Sequence, residues 1–328
     1  MQIRRAVYAT RGPVPQDHIA CVTQELAPLA EGEVLLEMLA APIHPSDVLT
    51  ITGHYGLLPP LPAVGGNEGV GRVVAHGPGV VAPAIGTVVM LPLGAGTWSS
   101  HVVATAATLV ALPAGVDPVQ LSMLAVNPAT ALLLLTDLVP LEAGDWVLQN
   151  AANSAVGGYL TQLAAARGLR TVNVVRREAA LAELTVPAGS VALVDGPDLA
   201  ARVAEATGGA RVRLAIDAVG GGATERLAQA LAPGGTVVVY GAMSGEAAKV
   251  SAASLIFRDV TVRGFWLASW FRTATPARMQ AVFGELAQGV ASGTLSARVA
   301  ATVPLDRIGE AVALAATTAR GGKVVVVP

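Results

Sequence analysis

From Asp145 to Glu178 the chain reads DWVLQNAANSAVGGYLTQLAAARGLRTVNVVRRE, an apolar run, a turn of small residues, a helical stretch and a second apolar run. Backbone N–H groups at the start of a helix can hold a pyrophosphate if the side chains beside them are small enough for close approach. Asn153, Ser154, Ala155, Val156 and Gly157 meet that condition. The full GxGxxG spacing is missing, because Ala155 stands where a glycine is expected. The residue about 20 positions past such a turn reads the adenosine ribose: an acid suits the 2′-hydroxyl of NAD, an arginine the 2′-phosphate of NADP. Here Arg176 and Arg177 fill that place with no carboxylate before them. Paired guanidiniums suit a dianionic phosphate, so the predicted cofactor is NADPH. The alternative is a solvated arginine pair that closes a strand, with Glu178 neutralising one of them.

These residues need a scaffold, and the rhythm of the chain supplies one. Apolar runs at 146–149, 171–175, 191–194, 213–217, 236–240 and 260–262 alternate with alanine-rich helical stretches. Their continuous apolarity predicts strands covered on both faces, as in a doubly wound parallel sheet. Before Pro118 the texture changes to short alternating segments, such as 33–38 and 86–91, between Pro and Gly turns, which predicts a β-rich domain. After Trp266 the pattern predicts helices near 275–288 and 308–316 and a strand at 323–327, a segment expected to return to the first domain. The predicted fold class is therefore α/β, with divisions at 1–118, 119–265 and 266–328.

Composition narrows the function. The 328 residues carry 21 basic and 23 acidic side chains, a net −2, with only Lys249 and Lys323 among the lysines. No basic surface for nucleic acid is expected. Hydrophobic residues make up 53% of the chain, but no apolar run approaches the roughly 18 residues of a membrane span. The start, MQIRRAVYATRGP, has no long apolar core of a secretory signal, and the expected location is the cytoplasm. Cys21 is the single cysteine, which excludes an internal disulfide and a multi-cysteine zinc site.

The segments HPSDVLTITGHYGLLPPLPAVGGNEGVG, VNPATA, LQNAANSAVGG, VYGAM and LIFRDVTVRGFWL resemble the medium-chain dehydrogenase/reductase superfamily, and within it the mitochondrial-type 2-enoyl thioester reductases. The resemblance spans nearly the whole chain. It implies a GroES-like catalytic domain, a Rossmann domain inserted before the C-terminal return, a homodimer, and NADPH-dependent reduction of the carbon–carbon double bond of trans-2-enoyl thioesters on coenzyme A or acyl carrier protein. A quinone or enone reductase of the same superfamily is the rival reading, and an NADPH binder without turnover a third. His44 and Asn67 stand where the zinc branch places a Cys and a His, so no metal is expected.

The resemblance also implies roles. Tyr55 is the expected proton donor: hydride addition to the β-carbon leaves an enolate, and a phenol, protonated at neutral pH, can stabilise it and protonate the α-carbon. The alternative is a tyrosine packed on its turn. Asn67 and Trp266 are expected in the substrate pocket, and Asn127 beside the nicotinamide. Tyr240, Gly241, Ala242 and Met243 are expected to line the cofactor, Phe265, Trp266 and Leu267 to border it, and Lys323 to touch it. A buried strand-end cluster is the alternative for 265–267. Against the family pattern, Ala155 replaces a Gly, His44 an Asn, and Arg176, Arg177 and Glu178 replace a basic-acid-basic triplet.

Overall fold

In the computed structural model, which describes residues 1–317 and 320–328, the chain divides into two units, residues 1–126 with 280–328 and residues 127–279.

The first unit begins with strands β1 (Gln2–Tyr8), β2 (Ile19–Glu25) and β3 (Glu33–Pro42), followed by helix α1 (Pro45–Thr52). Strands β4 (Ala63–Val64), β5 (Val70–His76), β6 (Val88–Met90), β7 (His101–Thr105) and β8 (Val110–Ala111) follow, then the short helix α2 (Pro118–Leu121). β1 pairs antiparallel with β2 and β4, and β3 with β5 and β7. β3 alternates little because both its faces are covered, with Val34, Leu36 and Met38 in one cluster and Ala41 in another.

Helix α1 illustrates how local sequence makes an element here. Pro45 occupies its first turn, and Asp47 Oδ2 accepts from His44 N at 2.7 Å, tying back the helix start. Gly53 ends it at φ +82°, a left-handed conformation that costs glycine little. Tyr55 sits two residues beyond this stop.

The second unit opens on helix α3 (Asn127–Thr136) and contains β9 (Trp146–Gln149), α4 (Ala155–Ala166), β10 (Arg170–Val175), β11 (Val191–Val194), α5 (Leu199–Thr207), β12 (Leu214–Asp217), α6 (Gly222–Ala230), β13 (Thr236–Val239), α7 (Ala252–Ile256), β14 (Thr261–Gly264) and α8 (Leu267–Thr273). All six strands are parallel in the order β11-β10-β9-β12-β13-β14. This is the doubly wound order with two half-sheets diverging from β9 and β12. Asp217 secures that divergence: its carboxylate accepts from Asn150 Nδ2, the amides of Val219 and Gly220, and Thr224 Oγ1.

Helix α9 (Pro276–Ala291) carries the chain back to the first unit, where β15 (Val299–Pro304), α10 (Ile308–Ala316) and β16 (Lys323–Val327) complete it. β16 pairs parallel with β15 and antiparallel with β3, and Ile308, Ala311 and Val312 of α10 join the core that holds Trp98.

The units part later than the expected residues 118 and 265. Residues 119–126 stay with the first unit because Glu68 accepts from the Val126 amide and Gln120 bonds Ala297 through both ends of its side-chain amide. Residues 266–279 stay with the second because Phe265 N donates to Val239 O and Arg278 pairs with Asp137. The last strand of the sheet begins at Thr261 and not at Val260, whose side chain is buried against α6 and its neighbours.

Candidate active site

The cofactor side lies within the second unit. Ser154 caps α4 by accepting from Gly157 N at 3.1 Å. Ala155 and Val156 are the first two helical residues, so helix geometry gives their amides no acceptor within the helix and leaves them for an anion. Ala155 is helical and carries no positive φ, so the methyl group that replaces the family glycine imposes no backbone strain. Gly157 is required for another reason: a Cβ there would stand 2.6 Å from Ala152 O, where helix and preceding turn are in contact. Asn153 donates to Glu183 at 2.9 Å.

β10 runs parallel to β9, and at its carboxyl end, the end to which the turn is bonded through Ala152 N and Val174 O, Arg176 and Arg177 are exposed. Tyr240 meets this turn from β13, its hydroxyl hydrogen-bonded with the Ser154 side chain, and burial pushes the phenol well above its ordinary pKa, so it stays neutral. Val239, Tyr240, Gly241, Ala242, Gly264, Phe265, Trp266 and Ser269 line an open cleft of about 510 Å³. Arg272 covers the Trp266 ring at 4.7 Å from its centroid, a cation–π contact that restrains an otherwise half-exposed indole. Asn127, at the start of α3, is 6% exposed and its Nδ2 has no partner among the described residues. A buried amide without an acceptor is costly, and it fits a site that receives an oxygen from a ligand. The capped turn, the free helix amides, the exposed arginines and this orphaned amide together fit a dinucleotide carrying an additional phosphate.

Leu267 and Met243, which adjoin lining residues in sequence, are not among the residues that line this cleft. Leu267 is buried at the first position of α8, facing the core, and Met243 is 65% exposed beyond the lining residues, its amide donating to Ala218 O. Ser269 was missed, since one serine early in a helix carries no signal of its own.

Lys323 lies in the first unit, at the start of β16. It is 4% exposed, and its Nζ donates to Ile43 O and to His44 Nδ1, both at 2.9 Å. Both partners belong to the first unit. With Nδ1 accepting, His44 Nε2–H donates to Glu68 Oε1 at 2.6 Å, and Glu68 Oε2 accepts from Val126 N at 2.8 Å. Burial shifts all four groups of this cluster. It holds His44 well below its ordinary value, assisted by the Lys323 charge, and raises Asp47 to about 7 and Glu68 to about 8. Lys323 is lowered to about 8.

This arrangement also bears on zinc. Both nitrogens of His44 are engaged, Asn67 offers only an amide, and Glu68 is committed to His44 and a backbone amide. The residues do not fit the three-ligand donor set of a catalytic zinc, and among the described residues no cluster of three His, Cys, Asp or Glu could hold a metal.

Tyr55 is half-buried beyond α1, with its amide donating to Leu49 O at 3.2 Å. Asn67 is half-buried too, its carbonyl accepting from Gly94 N at 2.8 Å.

A β-rich unit of this connectivity, interrupted by a doubly wound parallel sheet, defines a medium-chain dehydrogenase/reductase. Residues 30–114 match the alcohol dehydrogenase GroES-like domain and residues 155–287 the zinc-binding dehydrogenase family. The chain is 39% identical over 314 residues to a mitochondrial enoyl-[acyl-carrier-protein] reductase of Bos taurus, covering 93% of this chain and 83% of that one. Among solved structures, one described as a putative NADPH:quinone reductase from Bacillus thuringiensis superposes with a TM-score of 0.90 at 30% identity over 100% of this chain and 99% of that one. The Etr1p complex with NADP and crotonyl-CoA superposes with a TM-score of 0.88 at 23% identity over 100% of both chains, a likeness of fold. This chain belongs to the mitochondrial-type enoyl-[acyl-carrier-protein] reductase family and is an oxidoreductase. The curated relatives are named mitochondrial, which does not support the cytoplasmic expectation, and no helix among the described residues is long and apolar enough to cross a membrane.

Proposed function

We propose that the protein reduces the carbon–carbon double bond of trans-2-enoyl thioesters, carried on coenzyme A or acyl carrier protein, with NADPH. The observation that carries this reading is the 39% identity to an enoyl-[acyl-carrier-protein] reductase across 93% of the chain. NADPH supplies the hydride when bound. The amides at the start of α4 would hold its pyrophosphate and Arg176 and Arg177 its 2′-phosphate, while the unpartnered Asn127 Nδ2 would serve the nicotinamide side. Tyr240, Gly241 and Ala242 would line one side of the cofactor and Phe265 and Trp266 another; Trp266 in the second unit and Asn67 in the first are each assigned to the acyl substrate.

Tyr55 acts on the enolate. Its O–H first hydrogen-bonds the charge that develops on the thioester, then transfers the proton to the α-carbon and recovers one from solvent. The likeness to the Bacillus thuringiensis structure supports a second reading, a zinc-free NADPH:quinone reductase. Tyr55→Phe separates them: crotonyl-CoA turnover should fall roughly 10²- to 10⁴-fold, the range for a positioned general acid, with NADPH binding kept. Turnover of a naphthoquinone should fall less, since a hydroquinone needs less help from a proton donor. Near-native crotonyl-CoA turnover in the variant would refute the role.

We also assign the chain to a homodimer built on the free edge of β14, and to the cytoplasm, which fractionation of cells making the tagged chain checks.

A further inference from the structure

Arg11 lies in the coil after β1, outside every motif that drew attention in the sequence, yet its guanidinium spans the segment that carries Tyr55. Nε donates to Thr50 O at 3.3 Å, in the last turn of α1, and Nη2 donates to Pro59 O. The guanidinium is also hydrogen-bonded to the Tyr8 side chain, and Tyr8 is buried at the end of β1.

Thr50 and Pro59 stand on either side of residues 51–58. The near end of this segment is held by the helix itself: the amides of His54 and Tyr55 both donate to Leu49 O, at 2.8 and 3.2 Å. The far end has little to hold it, because Leu57 and Leu58 are both exposed and bring no core with them. A planar guanidinium with several fixed donors can bridge two carbonyls and a phenol at once, which an ammonium of the same charge cannot do in one geometry. Its stem lies 3.5 Å from where a Cβ on Gly53 would stand, so it also backs the turn between α1 and Tyr55.

We propose that Arg11 is a positioning residue that closes the Tyr55 segment at its far end and so sets where the phenol stands for proton delivery. The proposal rests on the role assigned to Tyr55, and the test keeps the two apart. Arg11→Ala and Arg11→Lys are compared with the native chain in crotonyl-CoA turnover, NADPH binding, and amide exchange at His54 and Tyr55. Arg11→Ala should lose roughly 10- to 100-fold in kcat, as expected when a reacting group is displaced by about 1 Å, with NADPH binding unchanged. Exchange at His54 and Tyr55 should quicken. Arg11→Lys should recover part of the loss, and added guanidinium ion should restore part of the activity of Arg11→Ala.

The double variant Arg11→Ala/Tyr55→Phe should be no slower than Tyr55→Phe alone, because a residue that acts through the phenol has nothing to contribute once the phenol is gone. Unchanged exchange at His54 and Tyr55 in Arg11→Ala would overturn the clamp whatever the kinetics. Multiplying losses in the double variant would overturn its action through Tyr55. A harmless Tyr55→Phe beside quickened exchange in Arg11→Ala would instead sink the role of Tyr55 and leave the clamp standing.

Discussion

At the scale of single residues, the most exposed part of the proposal is the arginine pair. Arg176 and Arg177 are exposed at the end of β10, so their side chains are available to a phosphate. Replacing both by uncharged residues should raise the Kd for NADPH by roughly 10- to 100-fold, the worth of one charged hydrogen bond or more, and leave that for NADH nearly unchanged. Equal losses with both cofactors, measured by fluorescence titration, would contradict the assignment. Glu68 makes a different kind of prediction. Its folded pKa, about 8, lies above the ordinary 4.5 because burial penalises the charge more than Lys323 relieves it. The folded state therefore keeps a proton that the unfolded chain has released, and stability is full below pH 4.5 and lost as pH rises toward 8. Glu68→Gln cannot ionise. Measured by urea unfolding, its stability relative to the native chain should improve across this window by at most about 1.4 kcal/mol per pH unit. A flat difference would mean that Lys323 keeps Glu68 ionised throughout.

At the scale of elements, β9 and α4 with the turn between them were legible because each obeys a local rule: a strand covered on both faces reads as unbroken apolar residues, and a capped helix announces itself with Ser154 and small neighbours. The same logic exposes Gly157. Alanine would normally favour a helix over glycine by about 1 kcal/mol, but here its Cβ would meet backbone atoms of Ala152 at 2.6 to 2.8 Å, and backbone cannot rotate away. Gly157→Ala should therefore destabilise, by roughly 1–3 kcal/mol on the scale of overpacked sites, and loosen NADPH binding by moving the start of α4. A rise in Tm would show that the turn yields freely. What stayed hidden depends on distant pairing. The partners of Lys323 could not be read from the sequence, because β16 pairs with β3 and brings its ammonium against Ile43 and His44, 280 and 279 positions away. Arg11 left no trace because its acceptors include two backbone carbonyls, and any sequence supplies those.

At the scale of the whole molecule, β14 closes one end of the six-stranded sheet and, among the described residues, pairs on one side only, with β13. All four of its residues are exposed, and the segment that leads into it adds Ile256 and Phe257, the latter 83% exposed. A free edge beside exposed apolar side chains is a template for another strand. Pairing with a second copy about a twofold axis satisfies both edges with the same surface and closes the assembly. The chain should therefore sediment as a dimer, with β14 meeting its counterpart and Phe257 covered in the contact. Val262→Lys together with Phe257→Asp places charge on both the edge and the apolar patch while leaving the cleft residues untouched. This variant should sediment as a monomer with native circular dichroism and native NADPH binding. A native chain that is monomeric at micromolar concentration would refute the dimer itself, whereas a variant that remains dimeric would place the interface on another surface.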